Sequence, residues 1–174
     1  SIRARRSRAC SPRCVLHASP TQISAAMVER LRVFLETSAL LAGIWSREST
    51  ARLTLRLGEA GAVHLLVSAL TLAEIEAAAR DNNPDSLGYL ALALDRAQVQ
   101  VVPSATQDLV DRCQSFTSHP GDARLLADAL VERIDYFVTT DQEHFLDQES
   151  IRGIVLFAVV TPEELIEQLR NSYA

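Results

Sequence analysis

Residues 32–43 read RVFLETSALLAG: Val33, Phe34 and Leu35 run without a break into Glu36, Thr37 and Ser38 follow, and a fresh apolar helical pattern begins. An apolar run with no alternation is how a strand covered on both faces reads, which places this one inside a parallel sheet. Open α/β sheets bind ligands beyond the carboxyl ends of their strands, so a carboxylate at that point is a candidate site residue. The simpler alternative is a solvated strand end, and the rest of the chain has to decide between them.

From Met27 onward, strand-like runs alternate with helical patterns. Helix follows the first strand through Trp45, and ARLTLRLGEAG (51–61) reads as a second helix ending at Gly61. VHLLVS (63–68) is the next strand, LTLAEIEAAAR (70–80) a strong helix, DNNPDS (81–86) a loop and LGYLALALDRA (87–97) a helix. The strand VQVVP (99–103), helical segments around SHPGDARLLADALVER (118–133) and the strand YFVTT (136–140) come next. GIVLFAVV (153–160) is the last strand-like unit, and TPEELIEQLR (161–170) opens with Thr161 as cap, Pro162 in the first helical position and Glu164 completing a capping box. Strands separated by helices predict an α/β fold, a parallel sheet with helices on both faces.

The 174 residues, 48% hydrophobic and 22% charged, suit one domain with a sizeable core. No run approaches the roughly 18 apolar residues of a membrane span. Three cysteines, Cys10, Cys14 and Cys113, lack metal-type spacing and fit a reducing, cytoplasmic setting, with Cys113 a packed thiol. The net charge of -5 hides an asymmetry: residues 1–26 hold five of the 17 Arg and no acid, so the rest carries 12 Arg against 22 acids. That basic, disordered leader reads as a nucleic-acid arm, as a transit peptide, or as upstream sequence translated from a misassigned start. Met27, the only Met, favours the last, with residues 27–174 as the domain.

Dinucleotide and P-loop sites are excluded by the absence of a Gly-rich turn after Val33 and of any Lys, and no G-x-S-x-G elbow is present. What remains is carboxylates at strand ends and helix starts: Glu36, Glu74 in LTLAEIEAA, Asp122 in HPGDARLLADAL and Asp141 in YFVTTDQEHF. With Glu36-Thr37-Ser38 after strand one, Glu74 on the helix after strand two, Asp122-Ala123-Arg124-Leu125-Leu126-Ala127-Asp128-Ala129 and Thr139-Thr140-Asp141, residues 31–171 resemble the PIN-domain nucleases, the family that includes VapC-like toxin ribonucleases. The resemblance implies a three-layer α/β/α fold with a central parallel sheet of four to five strands. It also implies a metal-dependent endoribonuclease, the toxin of a toxin–antitoxin pair, with Glu36, Glu74, Asp122 and Asp141 as catalytic and metal-binding residues. RNA, a small antitoxin and a second copy of the chain are the expected partners, and no membrane.

Physical chemistry reaches the metal separately. Four converging carboxylates repel one another, a hard divalent cation relieves the repulsion, and all-oxygen donors select Mg²⁺ or Mn²⁺ over zinc. The family's first acid is most often Asp; Glu36 reaches one methylene further, and a shift of roughly 1 Å can reduce rate on the order of a hundredfold. The alternative function is therefore a catalytically weak PIN-fold module that binds RNA or serves assembly. Thr37, Ser38 and Thr140 are supporting candidates and equally ordinary helix caps. Arg124, with Arg47, Arg52 and Arg56, is a candidate for the substrate rim, since the acidic body needs local cations to hold RNA. His144 reads as a partly exposed helical residue that could touch substrate, Glu76 and Asp128 as solvated carboxylates, and Trp45 with Leu40 and Leu41 as core or partner interface.

Overall fold

Strand β1, Arg32–Leu35, is the middle strand of a five-stranded, all-parallel sheet ordered β3-β2-β1-β4-β5. The computed structural model describes residues 30–82 and 85–172; the basic leader lies outside them. β2 is His64–Val67, β3 Gln100–Val101, β4 Tyr136–Val138 and β5 Ala158–Val160. Between β1 and β2 run α1 (Thr37–Trp45) and α2 (Thr50–Glu59); between β2 and β3 run α3 (Ala69–Asn82) and α4 (Ser86–Arg96). α5 (Gln107–Cys113) and α6 (Pro120–Val131) lead to β4, a π-helical turn (Gln142–Leu146) and α7 (Glu149–Arg152) to β5, and α8 (Pro162–Ser172) closes the chain.

The unbroken apolar run of β1 has the reason predicted for it. Successive side chains point to opposite faces, and both faces are covered. Phe34, Leu66, Phe137 and Val159 enter the core beneath α5 and α6, whereas Val33, Leu35, Leu65, Val67, Val138 and Val160 enter the core shared with α1, α2 and α8. Phe137 anchors the first core, with ring centroids 5.3 Å from Phe34, 5.0 Å from Phe145 and 6.0 Å from Phe157. The result is the expected three-layer α/β/α architecture, with the sheet at the upper end of the four to five strands predicted. The Thr161–Glu164 capping box is present reciprocally, with N···O distances of 2.9 and 3.1 Å.

Several boundaries differ. β1 ends at Leu35, and Glu36 instead caps α1. α3 continues through Asp81 and Asn82, so the predicted loop begins later. Of GIVLFAVV only Ala158–Val160 pairs, because β4 begins at Tyr136, in register with Ala158, and offers no partner further back. β3 shrinks to two exposed edge residues. Trp45 is not core; it is 42% exposed at the end of α1. Cys113 is a buried free thiol, as expected.

Candidate active site

β1 pairs on one side with β2, which follows it in sequence, and on the other with β4, which lies far downstream. The chain therefore reverses direction of travel across the sheet between β1 and β4, and the carboxyl ends of strands at such a switch are where doubly wound folds bind ligands. Glu36 follows β1 directly and Thr139, Thr140 and Asp141 follow β4. Backbone bonds continue past the strands, with the Glu36 N–H donating to the Val138 carbonyl at 2.9 Å and the Thr139 N–H to that of Val160 at 3.1 Å.

Glu36 is buried, 6% exposed, and its Oε2 takes three hydrogen bonds: from the Ser38 N–H (3.0 Å), the Ser38 hydroxyl and the Thr139 hydroxyl (2.8 Å). The longer side chain folds back to cap its own helix, while Oε1 accepts no hydrogen bond from a described residue. Burial pushes the Glu36 carboxyl above its ordinary range, the Ser38 and Thr139 donors pull it down without cancelling that, and the Asp141 charge adds to the rise. The two hydroxyls are themselves fixed by β4's continuation: Thr140 N–H donates to Ser38 Oγ (2.9 Å) and Asp141 N–H to Thr139 Oγ1 (3.0 Å).

The other carboxylates arrive from three elements. Asp141 caps the π-helical turn, its Oδ1 accepting the His144 N–H at 3.0 Å and its Oδ2 lying 2.8 Å from His144 Nδ1. Burial favours its neutral form, but the His144 backbone and ring outweigh it and hold Asp141 below the usual carboxylate range. His144 rises in return, through its hydrogen bond to Asp141. Asp122 sits in the first turn of α6, and its buried Oδ2 has no hydrogen-bond partner among the described residues. Burial raises its pKa, the His144 and His119 imidazoles oppose the rise, and Asp141 and Glu74 reinforce it. Glu74, exposed on α3, accepts the Thr37 hydroxyl. Mutual electrostatic influence thus joins Glu36, Asp141, Asp122 and Glu74 at one end of the sheet.

Of the supporting candidates, Thr37 and Ser38 bond to carboxylates, but Thr140 contributes through its amide and its side chain is exposed. The structurally important hydroxyl is Thr139, fully buried and bonded to Glu36; with both faces of β4 covered, no local pattern separates it from Thr140. His119 was also missed. It caps α6 with its ring accepting the Gly121 N–H at 3.2 Å, its Nδ1 lies 3.7 Å from Asp122 Oδ1, and its place before Pro120 was the available signal.

Asp128 corrects the expectation of a solvated carboxylate: it is 1% exposed, accepts the Ala105 N–H at 2.7 Å and pairs with Arg124 Nε at 3.5 Å. Arg124 is accordingly engaged by Asp128, and Arg52 pairs with Glu59 at 3.6 Å. Glu76 is exposed, as expected, and pairs with Arg80.

Among the described residues no three His, Cys, Asp or Glu side chains form a ready-made metal cage. The donors nevertheless fit a hard cation of the Mg²⁺ kind, which keeps several waters and binds through one or two carboxylates. Among the described residues neither Asp122 Oδ2 nor Glu36 Oε1 accepts a hydrogen bond, and a nearby cation would lower both carboxyl pKa values, which burial raises.

Residues 32–143 match the PIN domain family, and the chain belongs to it, as its motifs implied. Two solved structures share the fold. The first is VapBC2 from Rickettsia felis bound to a DNA fragment from their promoter: TM-score 0.59, 13% identity, covering 75% of this chain and 98% of that one. The second is PAE2754 from Pyrobaculum aerophilum: TM-score 0.57, 19% identity, covering 81% and 96%. No curated protein matches the chain.

Proposed function

We propose that this PIN domain is a metal-dependent endoribonuclease that hydrolyses RNA phosphodiester bonds with Glu36, Glu74, Asp122 and Asp141 as its metal-binding and catalytic carboxylates. The observation that supports this reading best is the gathering of four carboxylates, two just past the ends of β1 and β4 and two on α3 and α6, at the sheet's topological switch, two of them held above their ordinary pKa. When bound, Mg²⁺ or Mn²⁺ supplies the Lewis acidity that activates a water and offsets charge on the leaving oxygen. Glu36 and Asp122 each offer it an oxygen that takes no hydrogen bond from the described residues. Ser38 and Thr139 keep Glu36 in one rotamer, and His144 fixes both oxygens of Asp141. Preorganisation of this kind removes the reorganisation that would otherwise accompany each turnover.

The toxin reading, with a small antitoxin, a homodimer and a cytoplasmic setting, is supported by the shared fold of VapBC2 and by an acidic body poorly suited to holding RNA unaided. Incubating the purified chain with a mixed RNA pool tests the activity. Cleavage is expected with Mg²⁺ or Mn²⁺, none with EDTA, and none from an Asp122→Asn, Asp141→Asn double variant, whose calorimetric affinity for Mn²⁺ should also be lost. Equal Mn²⁺ affinity in the two proteins would remove these residues from the site.

A further inference from the structure

At the amino-terminal end of the sheet, opposite the carboxylates, lies a cavity of about 540 Å³ bordered by Arg30, Leu130, Arg133, Ile154, Leu156 and Phe157. Leu156 is fully exposed, Ile154 is 44% exposed and Leu130 36%. Single exposed leucines are ordinary, but three large apolar side chains around one cavity form a patch of the kind that marks an interaction surface. The segment before β5 explains it. Val155 and Phe157 turn inward to the core while Ile154 and Leu156 turn out, a strand-like alternation with no neighbouring strand to receive it.

Charge then selects the partner. Arg30 and Arg133 have no carboxylate partner among the described residues. The acids beside them are engaged, Glu132 by the Arg32 guanidinium and Asp135 by the Arg32 N–H at 2.7 Å. With Arg30, Arg32 and Arg133 against Glu132 and Asp135, the apolar rim carries a net positive charge on a domain in which 22 acids outnumber 12 Arg. An acidic ligand is repelled by most of this surface and attracted here, which gives both orientation and on-rate. Phe157, the aromatic ring in the cavity wall, is 8% exposed and offers no face on which a base could stack, so the patch fits peptide better than RNA.

We propose that this basal groove docks an acidic amphipathic peptide segment of a partner protein. Its leucine-type side chains cover Leu130, Ile154 and Leu156, and its carboxylates pair with Arg30 and Arg133. The surface lies at the opposite end of the strands from the carboxylates and does not depend on the nuclease reading.

The probe is a fluorescein-labelled helical peptide with Leu at i, i+3, i+4 and i+7 and Glu elsewhere, titrated into the full chain by anisotropy. Saturable binding is expected, weakened by added salt and reduced about tenfold by Leu156→Glu or by Arg133→Glu, the size of losing one central contact. Carbene footprinting is expected to label Leu156 and Ile154 heavily in the isolated chain at every concentration, and less with peptide bound. Absence of binding, equal binding of a Lys-for-Glu peptide, or unchanged affinity of Leu156→Glu overturns the proposal. So does Leu156 protected in the isolated chain, which would assign the groove to residues 1–29 or a second copy, or displacement of the peptide by single-stranded RNA.

Discussion

The Thr139 hydroxyl donates to Glu36 Oε2 across 2.8 Å, joining two residues 103 positions apart, and Thr139 Oγ1 in turn accepts the Asp141 N–H. One buried side chain thereby ties the end of β1 to the start of the turn after β4. Thr139→Val keeps the shape and removes both bonds, and a hydrogen bond to a buried charged group contributes about 1.5–3 kcal/mol. A loss of that order in urea denaturation at neutral pH is expected, with Thr139→Ser retaining most of the stability. Equal midpoints for Val and wild type would deny the bridge any energetic role.

Glu36→Gln should abolish metal-dependent cleavage while leaving the metal-free protein as stable or more so. The amide oxygen can still accept from Ser38 and Thr139, and a carboxyl held above its ordinary range by burial is removed. Glu36→Asp separates two histories. Its arm is one methylene shorter, so activity falls if the pocket is built for the longer residue and rises if catalysis has decayed. Cleavage rate and melting temperature of both variants, with and without Mg²⁺, decide.

His144 and Asp141 give the metal-free protein a pH signature. The raised His144 stabilises fully below its ordinary 6.5 and loses that contribution as pH climbs through its folded value. The lowered Asp141 stabilises fully above its ordinary 3.8 and loses it as pH falls through its folded value. Both contributions coexist between these limits. His144→Ala should therefore lower the melting temperature most in mildly acidic buffer and least in alkaline buffer, as scanning fluorimetry in EDTA would read. A gap that is constant with pH would contradict the pairing.

Asp128→Ala leaves the buried Ala105 N–H without an acceptor and frees Arg124, at an expected loss of about 1–3 kcal/mol. Mn²⁺ affinity should stay unchanged, because Asp128 does not face the other carboxylates. Calorimetric titration beside chemical denaturation distinguishes this structural acid from the proposed ligands.

The two-sided burial of β1, the parallel sheet and the α8 capping box were legible because each has a local signature: an unbroken apolar run, a strand–helix alternation, a Thr-x-x-Glu spacing. Asp128 was not. Helical periodicity rightly turned it away from Asp122, but whether that other face meets water depends on α5 and the Ala105 loop packing there, which no local pattern records. Leu156 failed in the opposite sense, since an apolar run reads as strand whether or not a neighbour exists to pair with it. Strand parity does not separate the adjacent Thr139 and Thr140 either, because both faces of β4 are covered; Thr139 is the one that meets Glu36 across the sheet.

Because the bond from Thr139 spans 103 positions, the two halves of the acid cluster are synthesised far apart in time. A chain still emerging from the ribosome has Glu36 and Glu74 exposed but no β4 to pair with β1, and such long-range pairing forms late. The acid cluster therefore assembles only once β4 and the turn after it are available to pair with β1.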